Sequence, residues 1–207
     1  MNKKGKLLVI SGPSGTGKST VIGHLMKMLD GLEFSVSATT RSPRPGEVDG
    51  KDYFFVTREK FDDMIRQGEL LEHAEFVGNC YGTPRSQVEQ RLAMGITVLL
   101  DIEVQGAAQV KAVMPEAVTV FLAPPSLEAL EQRLRKRGTE TEEVIFSRLE
   151  TAKKELLLAP TYDYTVINDD AVRAAEEIRD ILDQTSEEIK ESTTPVSDRE
   201  ERNELAL

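Results

Sequence analysis

Apolar residues along this chain follow two rhythms in turn. Leu7–Ile10 is a short unbroken run of strand formers, and Lys18–Leu29 then carries Val21, Ile22, Leu25, Met26, Met28 and Leu29 at helical spacing. Gly31 stands where a helix C-cap glycine belongs. Phe34, Val36 and Ala38 alternate with Ser35, Ser37 and Thr39, which predicts a half-buried strand. Pro43, Pro45-Gly46 and Asp49-Gly50 then break the pattern, and Asp49-Gly50 predicts a tight hairpin. Tyr53–Val56 reads as a strand, Thr57 as the cap of a helix over Arg58–Gln67, and Gly68 as its end. Leu70–Phe76 reads as a strand, Gly78-Asn79 as a turn, and Pro84 as the start of a helix to Gly95. Short strands and turns dominate residues 37–83, as in a small mixed insertion.

Beyond it the pattern becomes regular. Ile96–Ile102 is nearly all apolar, as a strand covered on both faces should be. Val104–Met114 is helical and stops at Pro115, and Ala117–Ala123 is a second apolar strand. Ser126 caps a helix to Arg137, Thr141 caps the next, Tyr164–Asn168 is a last strand, and Asp169 caps a final helix. Strands alternating with helices predict an α/β fold with a central parallel sheet and ligands at the strand C-termini. Residues 191–207 are polar and are expected to form a loose tail.

Composition narrows the classes. At 207 residues, 39% hydrophobic and 30% charged, the chain has the size and balance of one globular unit. No apolar run approaches the roughly 20 residues of a membrane span. The run after the basic start is too short for a signal-peptide core, so a cytoplasmic protein with no membrane partner is expected. A single cysteine, Cys80, and two histidines, His24 and His73, leave no internal disulfide and no Cys/His metal cluster. A net charge of −10 disfavours nucleic acid as partner and makes any local arginine cluster more telling.

Gly12–Ser19 fits G-x-x-x-x-G-K-[ST] between a predicted strand and a predicted helix. Such a P-loop turns backbone N–H groups around a phosphate, and Gly12, Gly15 and Gly17 let the chain come close to the anion. Lys18 would reach the β- and γ-phosphates of a nucleoside triphosphate, and the Ser19 hydroxyl would ligate Mg²⁺. Asp101, at the end of a buried strand, is a candidate for the same metal shell, with Glu103 a weaker one. Arg41 and Arg44 lie on a proline-stiffened loop, where guanidinium forks suit a second phosphate. A solvated loop would carry the same two arginines.

With these stretches in view, the chain resembles the bacterial guanylate kinases. The resemblance rests on Gly12–Thr20, Ser37–Glu47, Gly50–Phe55, Glu72–Phe76, Tyr81-Gly82-Thr83, Leu100–Gly106, Phe121–Pro125, Arg133–Glu143 and Val166–Asp170. The P-loop is shared by many families; Ser37–Glu47 and Arg137–Glu142 are far more specific. The implied architecture is a three-layer P-loop NTPase core (1–36, 98–128, 151–190), a mixed α+β GMP-binding insertion (37–97) and a small helical lid (129–150), followed by the tail.

The implied reaction is ATP + GMP = ADP + GDP with Mg²⁺. For ATP the resemblance assigns Gly12, Pro13, Ser14, Gly15, Thr16, Gly17, Lys18, Ser19 and Thr20, with Asn168 near the adenine. It assigns Arg41, Arg44, Tyr53 and Tyr81 to the GMP phosphate, and Ser37, Glu72 and Thr83 to guanine. Asp101 serves the GMP site and, with Ser19, the metal. Arg133, Arg137 and Arg148 are the lid arginines, catalytic together with Lys18, Arg41 and Asp101. Base chemistry agrees: a carboxylate can accept from guanine N1 and N2, while hydroxyls donate to O6. Cys80, beside Tyr81, is expected at the rim of the site. Two rivals stay open on residues alone: a P-loop kinase of another phosphorylated acceptor, and a non-catalytic guanylate-kinase-like binding module. Tolerance of dGMP and the choice between monomer and homo-oligomer are also open.

Overall fold

The structure is a computed structural model describing residues 5–136 and 141–193, with side chains described as far as residue 185. Five parallel strands form the main sheet: β1 (Leu7–Ser11), β2 (Leu32–Phe34), β7 (Thr97–Asp101), β8 (Val118–Ala123) and β9 (Tyr164–Ile167), in the order β2-β7-β1-β8-β9. Every residue of β1 and β8 is buried. Alternation sends Leu8 and Ile10 to one face, against α1 (Lys18–Met28) and α7 (Ala171–Thr193). It sends Leu7 and Val9 to the other, with Val88 and Leu92 of α3 (Arg85–Ala93) and Ala107 and Val110 of α4 (Val104–Val113). Helices on both faces of a parallel sheet make three layers, which is why these strands read as unbroken apolar runs.

A second sheet of four strands, β3 (Ala38–Thr39), β4 (Phe54–Phe55), β5 (Leu70–Phe76) and β6 (Asn79–Pro84), runs in the order β4-β3-β6-β5. Its core is Ala38, Phe61, Met64, Leu70 and Cys80, with α2 (Arg58–Arg66) supplying Phe61 and Met64. The predicted cap of α2 is in place: Thr57 Oγ1 accepts from Lys60 N at 3.2 Å, and Gly68 follows at φ +66°. The third unit is a helix pair, α5 (Leu127–Lys136) and α6 (Glu142–Leu156), packed through Leu130, Leu134, Ile145 and Ala152.

Six local expectations change. The alternating stretch Phe34–Thr39 is two strands: Leu32–Phe34 pairs with β7 of the main sheet, and Ala38–Thr39 pairs with β4 and β6 of the second. Period two records an extended chain and not the sheet it joins. Asp49-Gly50 makes a tight turn, with Gly50 at φ +74° and its N–H donating to Tyr53 O at 2.8 Å, but no hairpin. The strand that follows runs parallel to β3. Residues 79–84 form a strand although they contain Gly82 and Pro84, because neighbours on both sides supply its ladder. Pro84 then occupies the N-cap of α3 rather than its first turn. Asp170, not Asp169, caps α7: its Oδ1 accepts from Val172 N and Arg173 N at 3.0 and 2.9 Å. The helix runs on to Thr193, past the point where a tail was expected. Residues 194–207 lie outside the described residues.

Candidate active site

The P-loop follows β1 and ends on α1. Gly17 is the N-cap of α1 in the left-handed region, at φ 92°, and no side chain caps the helix. Its first N–H groups are therefore left for a ligand. Gly12 has φ 148°, and a Cβ there would stand 2.2 Å from Leu122 O, so nothing larger fits between β1 and β8. A Cβ on Gly15 would stand 2.8 Å from Leu134 Cδ2, so α5 packs directly on the loop. Thr16 and Pro13 are buried and hold the loop's shape, Thr16 Oγ1 donating to Pro13 O at 2.8 Å. Ser14, Ser19 and Thr20 are exposed. Lys18 Nζ donates to Gly12 O at 2.5 Å, folded back over the loop's opening.

One cleft of about 580 Å³ joins this loop to the second sheet. Its walls include Gly12, Ser14–Thr20 and Asp101 on one side, and Ser37, Tyr53, Glu72 and Tyr81 on the other. Thr83 lines a smaller adjoining cavity with Ser37, Tyr53 and Asp101. Glu72 is 6% exposed and accepts from Thr83 Oγ1 at 2.7 Å. Burial pushes its carboxyl pKa up, against the pull of the Thr83 hydrogen bonds. The Thr83 hydroxyl thus donates to Glu72.

Arg41 forms a bidentate pair with Glu47, at 3.0 and 2.8 Å, and lies over the Tyr53 ring at 5.3 Å. Tyr53 meets Tyr81 edge-on at 6.2 Å. Arg41, Tyr53 and Tyr81 therefore form one contact cluster, of which the two tyrosines line the cleft; neither Arg41 nor the exposed Arg44 is on the cleft wall. The hydrogen bonds to Arg41 hold the Glu47 carboxyl below its ordinary pKa.

Asp101 lies opposite Ile10 in the β1–β7 register, at the end of its strand. It is open to cleft water but low enough in the cleft that desolvation raises its pKa, Lys18 pulling the other way. Glu103 and Glu155 line the same cleft. Glu155, on α6, is raised by burial against the same Lys18 attraction. Sequence reasoning missed Glu155, because one acid in a highly charged amphipathic helix gives no signal.

The helix pair reaches the loop through two arginines. Arg133 donates to Thr16 O at 3.0 Å and to Asn168 O at 2.7 Å, and Arg148 to Ser14 Oγ at 3.3 Å. Asn168 is buried, its Nδ2 donating to Thr16 O at 2.5 Å. Arg133, Asn168, Gly15 and Thr20 border a second pocket of about 410 Å³ on the far side of the loop. Arg137 lies outside the described residues. Cys80 does not rim the site: it is 5% exposed in the core of the second sheet. Successive strand residues face opposite ways, so adjacency to Tyr81 puts Cys80 on the other face. His24 and His73 are absent from the cleft walls.

A P-loop feeding one cleft, with a second nucleotide-sized pocket beside it and arginines from a helix pair above, defines a nucleotide phosphotransferase of the P-loop class. The guanylate kinase family profile matches residues 4–185. The chain is 53% identical over 184 residues to the guanylate kinase of Streptococcus thermophilus strain CNRZ 1066, covering 88% of each chain. It is 55% identical over 183 residues to that of Lactococcus lactis subsp. lactis strain IL1403, covering 88% of this chain and 89% of the other. The crystal structure of guanylate kinase from Anaplasma phagocytophilum matches with a TM-score of 0.67 at 36% identity, covering 89% and 88%. The chain belongs to the guanylate kinase family, whose reaction is the ATP-dependent phosphorylation of GMP to GDP. No helix among the described residues is long and apolar enough to cross a membrane.

Proposed function

We propose that this chain carries out that reaction in the cytoplasm, with ATP on the P-loop and GMP against the second sheet. The observation that carries the reading is the shared cleft, in which the P-loop, with Lys18, and the buried Glu72, held from behind by Thr83, face one space. The bond from the γ-phosphorus to the β,γ-bridging oxygen breaks, and one forms to a GMP phosphate oxygen. That phosphate has a second pKa of about 6 and is largely dianionic at neutral pH, so no general base is required. Positioning and charge stabilisation then supply the catalysis.

In this reading Gly12–Thr20 hold the triphosphate, and Arg133 and Asn168 border the adenine in the second pocket. Arg41, Tyr53 and Tyr81 hold the acceptor phosphate, Arg44 joining them from its exposed loop. Ionised Glu72 accepts from guanine N1–H and N2–H, Ser37 donates to O6, and Thr83 fixes the carboxylate and offers lone pairs to the 2-amino group. Lys18 leaves Gly12 O for the phosphates when these arrive. Arg148 and Arg137 bring charge to the transferring group from residues 129–150. The Ser19 hydroxyl and the Asp101 carboxylate, hard oxygen donors that both line the cleft, suit Mg²⁺ and would hold it there. When bound, the ion would supply positive charge that offsets the charge developing on the transferring group.

A coupled assay with GMP, dGMP, AMP, UMP and ribose phosphates as acceptors tests the reading. GMP is expected to exceed AMP, UMP and the ribose phosphates by orders of magnitude. Equal turnover of AMP, or none of GMP, contradicts it.

A further inference from the structure

Gly106 lies in the first turn of α4 and is buried on the wall of the cleft. Glycine is a poor choice there, since alanine favours a helix interior and the backbone at 106 is ordinary helix, not among the positive-φ glycines. Space accounts for it. A Cβ on Gly106 would stand 2.9 Å from Glu72 Oε2 and 3.3 Å from Ile102 Cδ1. The oxygen opposite, Oε1, is fixed by Thr83. The carboxylate thus lies between a hydroxyl on one side and the bare backbone of α4 on the other.

Nor can α4 easily step back. One turn on, the Gln109 side-chain amide pairs with the backbone of His73, the residue after Glu72. His73 N donates to Gln109 Oε1 and Gln109 Nε2 donates to His73 O, each at 3.1 Å. β5 is an edge strand of the second sheet, and this amide takes the place of a missing strand partner. The pair ties the strand that carries Glu72 to a helix packed on the main sheet.

We propose that Gly106 and Gln109 are positioning residues for guanine selection: Gln109 fixes the distance between α4 and β5, and Gly106 leaves the room that the Glu72 carboxylate fills. The inference rests on Glu72 as the guanine-reading group. In Gly106→Ala the new methyl group displaces Oε2, the oxygen left for guanine. The KM for GMP rises about tenfold or more, equivalent to about 1.4 kcal/mol, while the KM for ATP is unchanged. The preference for GMP over IMP, which lacks the 2-amino group, narrows. Gln109→Ala moves KM the same way to a smaller extent.

The test is steady-state kinetics on GMP and IMP for Gly106→Ala, Gln109→Ala, Glu72→Gln, Glu72→Asp and the double variant Gly106→Ala/Glu72→Asp, with folding followed by circular dichroism. Aspartate is one methylene shorter and draws back from the methyl, so the double variant should lose less than the two single losses combined. Wild-type KM for GMP in folded Gly106→Ala, with Glu72→Gln strongly impaired, overturns the inference and leaves the site reading standing. Wild-type kinetics in Glu72→Gln overturn the site reading itself. Should Gly106→Ala not fold, an unaltered KM for GMP in Gln109→Ala overturns the inference.

Discussion

Between Gly12 and Thr20 the wall of the cleft is mostly backbone, and between Ser37 and Thr83 it is side chains from separate stretches of a small sheet. The first wall needs glycines, a helix N-terminus and one lysine, all within nine consecutive residues. The second needs Glu72 on β5, Thr83 and Tyr81 on β6, Tyr53 beside β4 and Ser37 beside β3. An anion is satisfied by converging N–H dipoles, which any sequence that permits the turn can supply. A base is read by donors and acceptors at fixed positions, which backbone alone cannot vary. The phosphate wall is therefore local and general, and the base wall assembled and specific.

Substitutions on the two walls should separate these roles. Lys18→Ala on the phosphate wall is expected to lower turnover at least ~10²-fold, because charge stabilisation of the phosphoryl group is lost while the fold is kept. Single-turnover kinetics with circular dichroism decides; near-normal turnover in a folded variant removes the contrast.

Glu72→Gln on the base wall is expected to lower GMP kcat/KM by roughly 10²-fold, because one guanine donor then meets a donor in a buried site. ATP affinity by calorimetry should not change. The same variant has a stability signature. Folding raises the Glu72 pKa, so its contribution to stability is fully present below the ordinary carboxyl pKa and is lost as pH rises through the folded value. Glutamine has no such loss. The variant should gain Tm over the wild type as pH goes from acid to neutral, and a constant Tm difference would show that the carboxylate does not resist ionisation.

Glu47→Ala should act between the two walls. Glu47 anchors the Arg41 guanidinium and accepts from Arg44 N at 2.7 Å, so its loss frees the arginine loop without touching base or P-loop. A rise of roughly fivefold in the KM for GMP is expected, the size suited to a partly exposed ion pair. IMP should suffer equally, since its phosphate is the same; unequal loss would place Glu47 in base reading.

The smallest expected effect is in shape. Arg133 and Arg148 already touch the P-loop, so closure on ATP and GMP together should move mainly the second sheet. Solution scattering should show a slight fall in radius of gyration with both nucleotides bound, and an unchanged value with both sites filled contradicts closure.

Legibility followed the same division. Leu70–Phe76 and the capped helix after Thr57 have the bounds their local patterns predict, within a residue. The strand at 79–84 is hidden by its glycine and proline; β5 meets it through a two-residue turn, but its other partner, β3, lies far earlier in the chain. Two neighbouring aspartates gave no means of choosing the cap of α7, which depends on where β9 delivers the chain. Cys80 is next to Tyr81 in sequence but on the opposite face of the strand, in the core of the second sheet.

By itself the sequence determined the alternation of buried strands and helices, the phosphate-binding turn and, through its resemblance to a family, the chemistry to expect. Those follow from interactions within a few residues, where spacing and residue type already fix the geometry. Only the tertiary structure decided that Phe34 and Ala38 belong to different sheets, that Thr83 spends its hydrogen on Glu72, and that Arg133 bridges the P-loop and Asn168. It also decided that a glycine in α4 makes room for a carboxylate more than thirty residues earlier. These are contacts between distant segments, set by how sheets and helices pack, and no local pattern of hydrophobic and polar residues encodes the distance between them.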